Sequence, residues 1–152
     1  MRLVPSCLVP LVLLACSAPS LSAPAPVAPP PPAASLDFSG TYACQGDDSH
    51  EGPYTATVTL RKVPAHSQGR FAAYALTMDV PGYGTYLGHV TADGREAAVH
   101  FALTDPIPQD HGTGLARFTL GKEGRWRFSK YYYEPDFKGG NHGTETCVQQ
   151  SS

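Results

Sequence analysis

From Gly40 onward, apolar side chains recur at every second position, in short runs broken by turn residues. A period of two fits an extended strand with one buried face; it cannot lay a continuous stripe along a helix. "YTATVTLRKV" sets Tyr54, Ala56, Val58 and Leu60 on one face and Thr55, Thr57, Thr59 and Arg61 on the other. "FAAYALTMDV" aligns Tyr74, Leu76, Met78 and Val80, and "EAAVHFALT" aligns Ala97, Val99, Phe101 and Leu103. "GLARFTL" aligns Ala116, Phe118 and Leu120, and "RWRFSKYYY" sets Trp126 and Phe128 against Arg125 and Arg127. "TYACQ" opens the series, a less regular "TYLGHVTA" lies within it, and "TETCVQ" closes it. "ADGRE" and "GKEG" carry hairpin-turn chemistry. The pattern predicts an all-β, eight-stranded antiparallel up-and-down meander over residues 36–152.

A meander has two exposed edges unless it closes, and closure into a barrel removes them. The cysteines bear on closure. Of four, Cys7 and Cys16 lie near the N-terminus, Cys44 in the first strand and Cys147 in the last. Residues 1–15 read as a secretion signal: Met1-Arg2, then a mostly apolar stretch to Leu14, too short to span a bilayer. Cys7 would leave with the signal and Cys16 would carry lipid, and an exported chain left with two cysteines is expected to pair them. The Cys44–Cys147 bond would tie strand one to strand eight. With roughly a hundred residues enclosed, the chain-entropy model gives about 4–5 kcal/mol as an upper guide.

"LLAC", Leu13 to Cys16, resembles the bacterial lipobox, whose cysteine is lipidated and becomes the new N-terminus. Cleavage after Ala18 or Ala23 is the alternative, although a proline would then follow the cut. Ser17 after the cysteine implies, by analogy with enteric bacteria, an outer-membrane lipoprotein, periplasm-facing or surface-exposed. Residues 16–35 hold seven of the fifteen prolines and no charge. That composition favours an extended polyproline stalk. "DFSGTYACQGDDSHEGPYTATVTL", "VPGYGTYLG", "HFALTDP" and "KYYYEPDFKGGNHGTETC" resemble an uncharacterised family of small Gram-negative lipoproteins. Gly40-Thr41-Tyr42 loosely resembles the calycin opening Gly-x-Trp. A lipobox with a "YxC" strand tied to a C-terminal cysteine resembles the membrane-bound lysozyme inhibitors, without their serine-glycine loop.

In a meander, successive connections alternate between ends. "GDDSHEGP", "PGYG", "DPIPQDHGTG" and "EPDFKGGNHG" share one end; tighter turns occupy the other. Long loops on a rigid scaffold are where function usually sits. The long-loop rim gathers Asp47, Asp48, Glu51, Asp105, Asp110, Glu134 and Asp136 against Lys138, while Arg61, Lys62, Arg70, Arg95, Lys122 and Arg125 gather opposite against Asp93, Glu96 and Glu123. A net charge of -2 conceals this asymmetry. The rim field would attract basic partners and oppose nucleic acid. His50, His111 and His142 fall on the same rim, with Tyr83 and Tyr133 as candidate contact residues. No HExxH, GxSxG, CxxC or EF-hand spacing occurs, and no metal or cofactor is expected. The expected activity is binding rather than catalysis, with a basic protein or peptide as partner; a lysozyme-like hydrolase would fit. The alternatives are a calycin-like carrier of a small apolar ligand and a structural envelope lipoprotein. For the carrier, Ala56, Ala72, Ala97 and Ala116 would leave room, whereas Trp126, Phe118 and Tyr74 would fill it.

Overall fold

The computed structural model describes residues 36–105 and 110–151. Cys7, Cys16, the signal and the stalk lie outside these residues, as do residues 106–109 of the third long connection. Eight strands follow one another: β1 (Gly40–Asp48), β2 (Gly52–Lys62), β3 (Phe71–Val80), β4 (Gly84–Asp93), β5 (Glu96–Leu103), β6 (His111–Leu120), β7 (Trp126–Glu134) and β8 (Asn141–Gln149). Each pairs antiparallel with the next, and β8 pairs back onto β1, so the meander closes into a barrel. The expected fold is the observed one. Among the described residues the helical pieces are 3-10 turns at Pro64–His66 and Phe137–Gly139. Tight turns use glycine where the backbone turns left-handed, as at Gly94 (φ 61°) and Gly124 (φ 77°).

Closure sets Cys44 directly opposite Cys147 in the β1–β8 ladder, with the two bonded and their Cα atoms 4.1 Å apart. The register follows from burial. Shifting β8 by one residue would turn Cys147 outward and expose the whole inner row of the strand.

The interior is not uniform along the barrel axis. At the end where β1 begins, Phe38 precedes the first strand and is fully buried. Its ring stacks on Phe118 at 4.0 Å and meets Trp126 edge-on at 4.7 Å, with Tyr74 at 5.9 Å. The backbone of this plug is also held. Tyr42 Oη donates to Phe38 O at 2.7 Å, Tyr74 Oη to Leu36 O at 2.8 Å, and Gln149 Nε2 to Ser39 O at 2.9 Å. Ala72, Ala92, Ala97 and Ala116 lie in one row across β3 to β6. Phe38 is buried in the same apolar cluster as these alanines, so a side chain of the protein itself takes up room they leave. Midway along the barrel a void of only ≈ 10 Å³ remains, lined by Val58, Val99, Phe128 and Lys130 among others.

Candidate functional site: the acidic barrel mouth

The inner face of β7 changes character step by step. Trp126 and Phe128 belong to the aromatic end; Lys130, Tyr132 and Glu134 continue the same alternation toward the mouth. Lys130 is buried, with its Nζ 2.6 Å from Glu145 Oε2 and over the rings of Phe101 and Tyr132 at 5.2 and 5.4 Å. Two charges so deeply buried persist only as a pair. On β1 and β8 the inner positions at this level are glycines. A Cβ at Gly46 would strike the Tyr54 ring, and one at Gly143 would strike the Tyr132 hydroxyl. The missing side chains therefore let two tyrosines lie across the lumen.

Those tyrosines join a continuous polar network. Tyr54 Oη donates to Glu145 Oε1 at 3.4 Å, and Tyr132 Oη donates to Asp48 Oδ2 at 2.8 Å. Asn141 Nδ2 donates both to Asp48 Oδ2, at 2.7 Å, and to Glu134 Oε2, while its own oxygen accepts from Ser49 Oγ at 2.6 Å. Tyr86 Oη donates to Asp110 Oδ2 at 2.6 Å. Asp110 Oδ1 is buried with no donor among the described residues. Burial alone would raise Asp48. Hydrogen bonds from Asn141, from the backbone of Glu51 and His50, and from Tyr132 outweigh it and hold Asp48 below the usual carboxylate range. Glu134 goes the other way: burial, then the charge of Asp110, push it up to about 7 against the pull of Asn141. Burial also drives Tyr54, Tyr86 and Tyr132 well above their ordinary values.

Between these groups lies a cavity of ≈ 60 Å³. Taking about 10–15 Å³ per water, it holds about four to six waters, or one small side-chain head. Four carboxyl residues line it, Asp48, Glu51, Asp110 and Glu134, beside apolar and aromatic walls from Met78, Val80, Phe101 and Phe137. Phe137 sits in the 3-10 turn after β7 and is buried. The turn continues through Lys138 at φ 47°, a left-handed conformation that a lysine rarely adopts. Lys138 Nζ forms an ion pair with Glu51 across the mouth.

The sequence-predicted rim residues separate into three groups. Asp48, Glu51, Tyr83, Asp110 and Glu134 meet at the cavity. Asp110 and Glu134 are turned into it and buried, rather than displayed at the surface. Asp47, His50 and Asp136 are exposed on the rim: His50 Nε2 lies 3.1 Å from Gly140 O, and half-exposed His111 lies 3.5 Å from Asp136. Tyr133 and His142 face outward from adjacent strands, in register with each other. The three histidines are thus not brought together. Among the described residues one cluster is compact enough for a metal, Cys44 with Glu145 and Cys147, and its cysteines are disulfide-bonded. Lys130, Tyr86, Asn141 and Glu145 complete the site without any sequence motif that marks them. Alternation carried on from Trp126 and Phe128, and back from Cys147, would have placed Lys130, Glu145 and Asn141 inside.

No family model and no curated protein matches the chain. Among solved structures, EF1p2_mFAP2b bound to DFHBI is similar at a TM-score of 0.48 and 11% sequence identity, covering 74% of this chain and 94% of that one.

Proposed function

We propose that this protein is a lipid-anchored envelope binding protein whose acidic barrel mouth recognises a basic protein or peptide. The observation that carries the reading is the convergence of four carboxyl residues on one aromatic-walled cavity of ≈ 60 Å³. The lysines nearby offset only part of that excess: Lys138 pairs with Glu51, one of the four, and Lys130 pairs with Glu145, which leaves Asp48, Asp110 and Glu134 in no ion pair among the described residues. A cavity of this size suits the charged end of a side chain entering from outside. Exposed Asp47 and Asp136 would steer such a partner, an effect expressed chiefly in association rate and screened by salt.

The test is association kinetics of the full chain with a basic protein, using lysozyme as probe, at low and high salt. Asp47→Lys with Asp136→Lys should slow association at low salt, and Arg95→Glu with Lys122→Glu should not. Equal rates for both double variants at both salts would remove the reading. The anchor rests on the lipobox resemblance at Cys16. Cys16→Ala should shift the protein from membranes to the soluble fraction or leave it unprocessed, and unchanged labelling of that variant with palmitate would refute lipidation. A second reading, a carrier of a small guest, draws on the apolar wall formed by Met78, Val80, Phe101 and Phe137. A co-purifying small molecule in native mass spectrometry would favour it.

A further inference from the structure

At the base of the mouth, two carboxyls have been left in an unusual state. Asp110 is 4% exposed and its Oδ1 meets no donor among the described residues, although it lines the cavity. An orphaned buried carboxylate oxygen is costly and calls for a partner. Glu134 lies within hydrogen-bonding reach of Asp110, and two carboxyl groups can bond to each other only if one of them is protonated. Every other charged or titratable group facing this pair is already accounted for. Asp48, from β1, is ionised and saturated by four donors. Glu51, in the β1–β2 connection, is paired with Lys138, and Lys130 and Glu145, from β7 and β8, are paired with each other. Tyr54, Tyr86 and Tyr132 stay protonated, and Tyr83 at the lip is pushed up to about 12 by burial and by the surrounding carboxylates. His111, the next residue after Asp110, is half-exposed and lies by Asp136. Only Asp110 and Glu134 remain, and together they can satisfy one another with a single proton.

We propose that Asp110 and Glu134 form a binding site for one organic ammonium group, which enters in exchange for the proton the two carboxyls share. This deepens, and rests on, the reading of the mouth as the cation-recognising end. Without ligand, Glu134 donates its proton to Asp110, and the pair carries one negative charge. On binding, that proton leaves to solvent, and the ammonium N–H groups donate to Asp110 Oδ1 and to the Glu134 carboxylate. No covalent bond forms, and the charge of the filled site stays at minus one. The surroundings select the kind of cation. A hydrated metal ion would seek six or more oxygen ligands, and the pair with its aromatic walls does not offer that set. Phe101, Phe137, Tyr83 and Tyr86 instead present ring surface to the methylenes and charge of an alkylammonium. The position of Glu134 near neutrality agrees with a proton held at this level. The same chemistry could arrive as a lysine side chain or as a free amine.

Calorimetry on the full chain separates these sources. The probes are n-butylammonium chloride, trilysine and calcium chloride, at pH 6 and pH 8, in two buffers of unlike ionisation heat that are not primary amines. Butylammonium should bind, releasing close to one proton per molecule at pH 6 and close to none at pH 8. Its affinity should be about tenfold weaker at pH 6, the linkage expected for one group titrating near 7. Asp110→Asn should weaken binding at least tenfold, and Glu134→Gln should abolish both the proton release and the pH dependence. The proton count needs no variant, so it stands if Asp110→Asn fails to fold. Absence of amine binding at both pH values, binding at pH 6 without proton release, or displacement of the amine by calcium would each overturn the site. Trilysine binding that Asp47→Lys with Asp136→Lys weakens but Asp110→Asn does not would also overturn it, while leaving the rim reading intact. Butylammonium binding with proton release, but no binding of trilysine or lysozyme, would establish the site and remove the basic-protein reading.

Discussion

At the Phe38 end the barrel is shut by rings; at the Asp48 end it is bounded by carboxyls, the Asn141 amide and a strained turn. The wall is the same eight strands in both places, so the contrast lies in what the inner positions carry. Trp126 and Phe128 on β7 pack against Phe38, Tyr42 and Phe118, whereas Lys130 and Glu134 on the same face need partners from other strands. Apolar packing is favourable wherever volume is filled, but a buried charge is tolerated only when matched. One end therefore contributes stability, and the other holds groups whose burial costs stability unless each is matched.

The comparison breaks if the ends respond alike to truncation. Phe38→Ala should destabilise by about 3–5 kcal/mol in chemical denaturation, the range for emptying a well-packed aromatic site. Phe137→Ala, outside the central cluster, should cost less than half as much. Equal losses would mean that the mouth is as much core as the plug. Next in size is the belt between the ends. Reducing Cys44–Cys147, which encloses a sequence separation of 103, should lower stability by about 2–5 kcal/mol and the melting temperature by several degrees. Finding both thiols alkylated in unreduced native protein would show that the bond is not formed.

Smaller, and opposite in sign at neutral pH, is the effect of Glu134. Its carboxyl is raised in the folded barrel from 4.5 to about 7. A group raised on folding contributes stability below its unfolded value, and that contribution is lost as pH rises through the folded value. Wild-type stability should therefore fall by about 1–3 kcal/mol between roughly pH 4.5 and 7, and Glu134→Gln should flatten that decline. A decline that persists in the variant would assign it to another group. The smallest effect belongs to the exposed rim. Asp47→Lys with Asp136→Lys should change stability by no more than about 0.5 kcal/mol, and a larger loss in thermal melts would make those residues structural.

The alternation of Tyr54 to Leu60 and of Ala97 to Leu103 made the fold legible, because a period of two fixes both strand and face. Placing Cys44 and Cys147 in the outermost strands made closure legible as well. The site was only half legible. Loop alternation put Asp48, Glu51, Tyr83, Asp110 and Glu134 at one end, but not their depth. Lys130 and Glu145 were invisible as a pair because their facing positions come from the β7–β8 register, and charged residues are outward by default. Phe38 gave no signal, since it lies before the alternation begins and its seat is built by β3, β6 and β7.

That seat bears on the order of events in folding. The ring of Phe38 needs Phe118 and Trp126, and β1 lacks its second neighbour until β8 has been made. Contacts that join the two extremes of a chain carry the largest loop-closure cost and form slowly. In a chain that leaves a ribosome or crosses a membrane N-terminus first, residues 36–48 would emerge early and wait for nearly the whole of the rest. Until β8 arrives, Phe38 and Cys44 remain uncovered, one open to aggregation and the other to mispairing with a foreign thiol. The residues that finish the barrel are among the first of it to be synthesised.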